Sequence, residues 1–273
     1  LNCSVLGLDA APGTPEFNLF IKGVKAEMTV KCGQKCTAIR RIMVPENYVE
    51  DVQIALGKEL ARTNIGDPSL KETRMGALVS KDQVQEVKER VAELNATAEI
   101  VYGSLDQVEV NGASADKGAF LSPILMVEKE PFKNMAVHNV EAFGPVSTIM
   151  PYSTTAEAVE LSHLGMGSLV ASIVTGDDKI ATEFTVEAAT HHGRILVLNQ
   201  DSAKQSTGHG SPLPTLTHGG PGRAGGGEEM GGMRGIKHYM QRCAIQGSPT
   251  TVSEITGIFQ AGAKYKEALQ HPF

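Results

Sequence analysis

Apolar runs of strand length alternate, along most of this chain, with segments whose apolar residues recur three or four positions apart. Phe17, Ile21, Val24 and Met28 make one such stripe, Val49, Val52, Leu56 and Leu60 a second, and Val84, Val87, Val91 and Leu94 a third. That period predicts amphipathic helices. TTAEAVELSH and DKIATEFTVEAAT are read as two more. Around and between them, residues 3–9, TAIRRIMVP closed by Pro45, AEIVYG, GAFLSPILMVEK, FGPVSTIMPYS, GSLVASIVTG and RILVLNQ are read as strands. Parallel strands need a crossover of a dozen or more residues, and a helix supplies it. The pattern therefore predicts an α/β fold: a mainly parallel sheet flanked by helices on both faces.

The chain has 273 residues, enough for one large domain or two small ones. A formal net charge of −6 without a basic block argues against a nucleic-acid backbone as partner. No run of eighteen apolar residues is present, and LNCSVLGLDA carries no positive leader, so neither a membrane span nor a signal peptide is expected. Four cysteines in this length do not make a disulfide framework, and a reducing cytoplasm is the expected compartment. Because the chain opens inside an apolar strand, it is expected to be a piece of a longer protein. No repeat, no G-x-G-x-x-G motif after a strand and no phosphate loop ending in Lys-Ser/Thr is found.

After Asn199 the composition turns to Gly, Pro, Ser and His, in a stretch ending GGPGRAGGGEEMGGMRG. A disordered linker and an ordered loop beside a site are both open, since glycine lets backbone approach a ligand closely. IKHYMQRCAIQ is read as a helical turn leading into a strand. Residues 242–246 of it are expected to find little local partner and to add to another subunit, with pairing inside the same domain as the alternative. Cys243 and Ile245 would face a buried layer, and Arg242, Ala244 and Gln246 the other side.

KCGQKCTAIRRIMVP holds Cys32 and Cys36. A metal site is not expected: Cys3 and Cys243 are remote in sequence, and adjacent His191 and His192 point apart. A disulfide between two positions on one helix is poor geometry. Two readings remain open on the residues alone. Both thiols are buried packing, or Cys32 packs on the helix while Cys36, at the junction with the next strand, is reactive. Lys35, Arg40 and Arg41 are close enough in sequence to favour a thiolate.

GQKCTAIRRIMVP resembles the catalytic-cysteine segment of the aldehyde dehydrogenase superfamily, Gly-Gln-x-Cys-x-Ala followed by Arg and a strand ending in Pro. EAFGPVSTIMPY is similar to its Glu-x-Phe-Gly-Pro-Val motif, GAFLSPIL to the strand before it, and RILVLNQ with the glycine-rich run to its carboxy-terminal segment. MQRCAIQGSPT and a final HPF further resemble the branch in which an aldehyde dehydrogenase is fused to a hot-dog-fold enoyl-CoA hydratase, the bifunctional ring-opening enzymes of phenylacetate degradation.

The resemblance implies Cys36 as nucleophile, its backbone N–H holding the developing oxyanion, Glu141 on the nicotinamide ribose, Phe143 beside the nicotinamide and Asn199 near the substrate pocket. Glu141 as a surface charge or ion pair, Phe143 as core and Asn199 as a strand cap are the plain alternatives. NADP+ is the implied acceptor, with NAD+ second, and a CoA-linked semialdehyde the implied substrate. The family's general base and most cofactor contacts would lie upstream, so these residues alone are expected to be inactive. Implied regions are 1–12 as the end of a cofactor-binding half, 13–198 as the thiol-bearing domain, 199–237 returning toward the cofactor, 238–248 as an oligomerisation strand and 249–273 as a linker toward a hydratase. Dimers, assembling into a hexamer, are implied. A CoA-acylating dehydrogenase and a non-catalytic scaffold of this fold are the alternative functions.

Overall fold

Most helices of this chain start where a hydroxyl or carboxylate takes up one of the first free N–H groups, those at 49–61 and 136–139 being the exceptions among the described residues. The computed structural model, which describes residues 1–211, 218–225, 236–237 and 239–264, shows this repeatedly. Thr14 accepts from Phe17 N with Pro15 at the first position, Ser80 from Gln83 N, Thr154 from Glu157 N, and Ser248 from Thr251 N with Pro249 at the first position. In chain order the elements are β1 (Cys3–Leu6), α1 (Pro15–Thr29), β2 (Arg41–Pro45), α2 (Val49–Ala61), α3 (Lys81–Leu94), β3 (Glu99–Tyr102), β4 (Ile124–Val127), α4 (Ala136–Asn139), β5 (Val146–Tyr152), α5 (Thr155–His163), β6 (Ala171–Val174), α6 (Asp178–Ala188), β7 (Arg194–Leu198), β8 (Ala244–Gln246) and α7 (Pro249–Thr256).

The strands form one sheet in the order β3-β4-β5-β2-β1-β6-β7-β8. Only the β3–β4 pair is antiparallel; the other neighbours run parallel. The expected α/β architecture is therefore the observed one. Side chains alternate between two cores. Leu6, Ile42, Val44 and Ile149 pack with Phe20 and Met28 of α1 and Leu56 of α2. On the other face Val5, Met43 and Ile173 pack with Leu161 of α5 and Phe184 of α6, and Met126 and Met150 with Val87 and Val91 of α3. Two covered faces explain why the inner strands read as continuous apolar runs.

Three expectations are corrected. β1 is no appendage of another domain: it sits mid-sheet, Cys3 registering with Arg41 on one side and Ala171 on the other. Residues 244–246 do find a local partner, pairing parallel with β7 through Arg194↔Ala244 and Leu196↔Gln246. Their facing was read correctly in part, since Cys243 and Ile245 pack on the α6 core while Gln246 accepts from Arg194 Nη1 at 2.6 Å. Residues 249–256 are a helix packed on α6, with Thr251 Oγ1 donating to Asp178 Oδ1 at 3.0 Å. The remainder of the implied linker, from residue 265, lies outside the described residues, as do residues 212–217, 226–235 and 238.

Candidate active site

The chain between α1 and β2 does not continue the helix. After Thr29 it makes a tight turn in which Lys31 and Cys32 adopt positive φ, 53° and 54°. Cys32 is thus off the helix on which it was placed. It is buried, its thiol lies 3.0 and 3.1 Å from the Gly76 and Ala77 carbonyls, and burial pushes it up to about 11. Cys36, four residues on, is exposed. Among the described residues all four cysteines are free, and no three His, Cys, Asp or Glu side chains converge as metal ligands.

The Cys36 turn is fixed from below by Asn2. Its side-chain amide donates to Cys36 O (2.8 Å) and Ala38 O (3.1 Å), and its Oδ1 accepts from Val170 N (3.3 Å). This ties the turn to the start of β6. The cations near in sequence are engaged elsewhere. Lys35 pairs with Glu27 at 2.8 Å. Arg41 is fully buried and donates to Leu161 O, Ser162 O and Leu1 O, while His138 Nδ1 accepts from it at 3.1 Å. The carbonyl end of α5 thus holds this cation, with no carboxylate bonded to it among the described residues.

Arg40 does more. Its Nε donates to Glu141 Oε1 (3.2 Å), Nη1 to Gly144 O (2.7 Å) and Nη2 to Gly33 O (2.8 Å), and its guanidinium lies 5.2 Å from the centre of the Phe143 ring. One buried fork therefore joins the cysteine turn to the Glu-Ala-Phe-Gly-Pro segment.

Cys36, Glu141 and Phe143 line one cavity of about 260 Å³, with Asn2, Ser168 and Arg223. The structure brings together three of the four residues singled out in sequence. Asn199 is not among them. It follows β7 at the carboxyl ends of the parallel strands, whereas Cys36, Glu141 and Ser168 precede β2, β5 and β6 at the amino ends. A strand of four or five residues, about 15 Å, separates the two rims. Asn199 instead accepts from Ser202 N on Oδ1 (3.0 Å) and donates to Thr251 Oγ1 (3.2 Å), closing the turn after β7 and bracing α7. The plain alternative, a strand cap, is the observed role. The carboxyl-end rule for open α/β sheets points to the rim opposite Cys36.

Behind Ser168 lies a buried polar chain whose only trace in the sequence is a pair of adjacent histidines. His192 Nδ1 is 2.6 Å from Ser168 Oγ, and its Nε2 is 3.1 Å from Ser162 Oγ. Ser162 donates to Val159 O, so it accepts the Nε2–H, while Ser168 Oγ lies within reach of both Nδ1 and the Val170 carbonyl, the latter at 3.1 Å. Burial, then the Arg41 charge, holds His192 well below the ordinary histidine value. His191 points the other way and stacks on His163 at 3.7 Å. A larger cavity of about 800 Å³ lies between α3 and residues 103–123, and holds none of these groups. Size alone does not select the site; the convergence of chemistry at Cys36 does.

The residues present fit the nicotinamide end of a dinucleotide. Glu141 is partly exposed at the cavity with only Oε1 engaged among the described residues, leaving a carboxylate oxygen to accept from ribose hydroxyls, and Phe143 supplies an apolar wall.

The profile described as "Aldehyde dehydrogenase family" matches residues 14–245. Protein MaoC of Klebsiella aerogenes is 49% identical over 200 residues, covering 73% of this chain and 58% of that protein. The 3,4-dehydroadipyl-CoA semialdehyde dehydrogenase of Aromatoleum evansii is 42% identical over 221 residues, covering 81% and 43%. The chain thus spans about half the length of these relatives. Among solved structures, a betaine aldehyde dehydrogenase mutant of Staphylococcus aureus with NAD+ superposes with a TM-score of 0.70 at 19% identity, over 83% of this chain and 42% of that one. The succinic semialdehyde dehydrogenase of Streptococcus pyogenes with NADP+ gives 0.65 at 21%, over 82% and 44%. These likenesses establish the fold, and the profile and the two relatives establish the kinship. With the cysteine turn and the Glu-Ala-Phe-Gly-Pro segment buttressed on one arginine, this chain belongs to the aldehyde dehydrogenase family.

Proposed function

We propose that the chain is the thiol-bearing part of a dehydrogenase that oxidises a CoA-linked semialdehyde to the carboxylic acid, with Cys36 as nucleophile. The observation that carries the reading is the exposed Cys36 thiol sharing one cavity with Glu141 and Phe143. The Cys36 thiolate attacks the aldehyde carbon, forming an Sγ–C bond and a thiohemiacetal. Among the described residues no acceptor takes the Cys36 N–H, so it is available to the developing oxyanion. A bound nicotinamide, NADP+ or NAD+, would accept the hydride from that carbon, leaving a thioester on Cys36. Glu141 and Phe143 position the ring and do not move a proton. Water then breaks the C–S bond and releases the acid.

The name of the 42%-identical relative supports a CoA-linked semialdehyde as substrate. The ring-opening branch of phenylacetate degradation, a hydratase partner domain, a cytoplasmic setting and assembly through the outer edge of β8 belong to the same proposal. Light scattering on the longer protein measures the last of these. For the chemistry, Cys36→Ala in the longer protein should abolish aldehyde oxidation, and analysis of the native product should give free acid. Acyl-CoA as the product would select the acylating alternative, and undiminished turnover in Cys36→Ala would remove Cys36 from the mechanism.

A further inference from the structure

The glycine-rich stretch that the sequence left undecided is, in its described part, built onto the site. Arg223 N donates to Met166 O (3.0 Å) and Gly220 N to Gly225 O (3.1 Å). The Arg223 guanidinium donates to the carbonyls of His138 and Asn139, each at 3.2 Å. Backbone lies directly on backbone here. A Cβ on Gly220 would strike the Ser168 carbonyl, one on Gly222 the Met166 carbonyl, and one on Gly193 the Gly219 carbonyl. The glycines are thus required by close approach to the segments entering β6 and β7. The preceding flank lands on the cysteine turn as well, with Thr37 Oγ1 donating to Gly210 O at 3.2 Å.

What this docking delivers is His218. Its Nε2 lies 3.8 Å from Cys36 Sγ, within hydrogen-bond reach for sulfur, and it is the only described side chain in such contact with that thiol. Neither Lys35 nor Arg40, close to Cys36 in sequence, fills this role, since each is committed to a carboxylate.

We infer that His218 is the proton acceptor for Cys36. The S–H bond breaks and its electron pair stays on Sγ. The proton forms a new N–H bond at Nε2 while Nδ1 keeps its hydrogen, giving a thiolate beside an imidazolium. The charged groups around the pair are Glu141 and Arg223 on the same cavity, Arg40 behind Glu141, and Lys35 held by Glu27. Arg223 favours the thiolate. Glu141 opposes it, and Arg40 offsets that carboxylate. The inference rests on Cys36 as nucleophile and adds a base from within this chain for the first proton transfer, separate from any base for the water step.

The test is alkylation of the longer protein by iodoacetamide between pH 5 and 9, each cysteine followed by mass spectrometry, for the unaltered chain, His218→Gln and His218→Ala. The expected result is a roughly tenfold fall in the Cys36 rate near pH 7 in both variants. Free imidazole should restore part of the rate in His218→Ala, a readout that a merely structural histidine would not give. Slow labelling of buried Cys32 in all three proteins verifies the fold. If Cys36 is fast in all three, within twofold and with one pH profile, His218 is not the acceptor while the nucleophile stands. If Cys36 is no faster than Cys32 in the unaltered chain, both readings fall.

Discussion

Arg40 is the side chain on which the geometry of the site depends. It is buried, and its burial alone would depress its basicity, an effect countered by Glu141 and then Glu27. Its three donors reach Gly33, Glu141 and Gly144, so truncation strands two buried carbonyls and a carboxylate. Arg40→Met is expected to lower stability by about 3 kcal/mol in urea denaturation. In the longer protein it should raise KM for the nicotinamide cofactor more than it lowers kcat. Arg40→Lys should recover less than half of either loss, because a point charge cannot reproduce the fork. Asn199 behaves differently. Asn199→Ala should cost about 1–2 kcal/mol through the lost cap and the lost bond to Thr251, yet leave the Cys36 alkylation rate within twofold. A tenfold fall in alkylation would return Asn199 to the pocket.

Elements here are short, and what connects them carries the chemistry. The turn between α1 and β2, the segment before β5 and the turn before β6 all lie at the amino rim of the sheet, and residues 218–225 lie across the entries to β6 and β7. That crossing depends on absent side chains. In Gly193→Ala the new Cβ would collide with the Gly219 carbonyl, a backbone atom that cannot rotate away. The expected outcome is faster amide exchange at the Arg223 N–H, which donates to Met166, with exchange in β1 and β2 unchanged. Unaltered protection at Arg223 would show that the segment is held by something other than this close packing.

The whole molecule buries several histidines in neutral form. Burial, then Arg41, lowers His138 to about 4; burial, then Arg194, lowers His209 to about 3; and His192 is lowered well below its ordinary value. A histidine whose folded value is depressed binds fewer protons folded than unfolded. Acid therefore favours the unfolded chain below the unfolded value of about 6.5. Each group should remove about 1.4 kcal/mol of stability per pH unit from there down to its own folded value. Stability set by these residues is thus level above about pH 7 and falls steeply between about 6.5 and 4. Urea midpoints measured at half-unit steps from pH 8 to 5 check this, and a flat midpoint from 7 to 5 would contradict it.

Periodicity by itself determined the α/β class, because a parallel strand needs a crossover and the apolar spacing shows whether that crossover is helical. Resemblance to a known family's short motifs brought Glu141 and Phe143 forward, whereas the residues by themselves left Cys36 open between a reactive and a packing thiol. Tertiary structure alone decided the rest. Which rim of the sheet a loop occupies depends on strand direction, and that is why Asn199 lies at the rim opposite Cys36. Strand order is a long-range property, which placed β1 mid-sheet and gave β8 a partner in β7. Cys32 left its helix through two positive φ angles that no apolar spacing encodes. The contact between Cys36 and His218 joins residues 182 apart in sequence, and it exists only because glycines let one backbone lie against another.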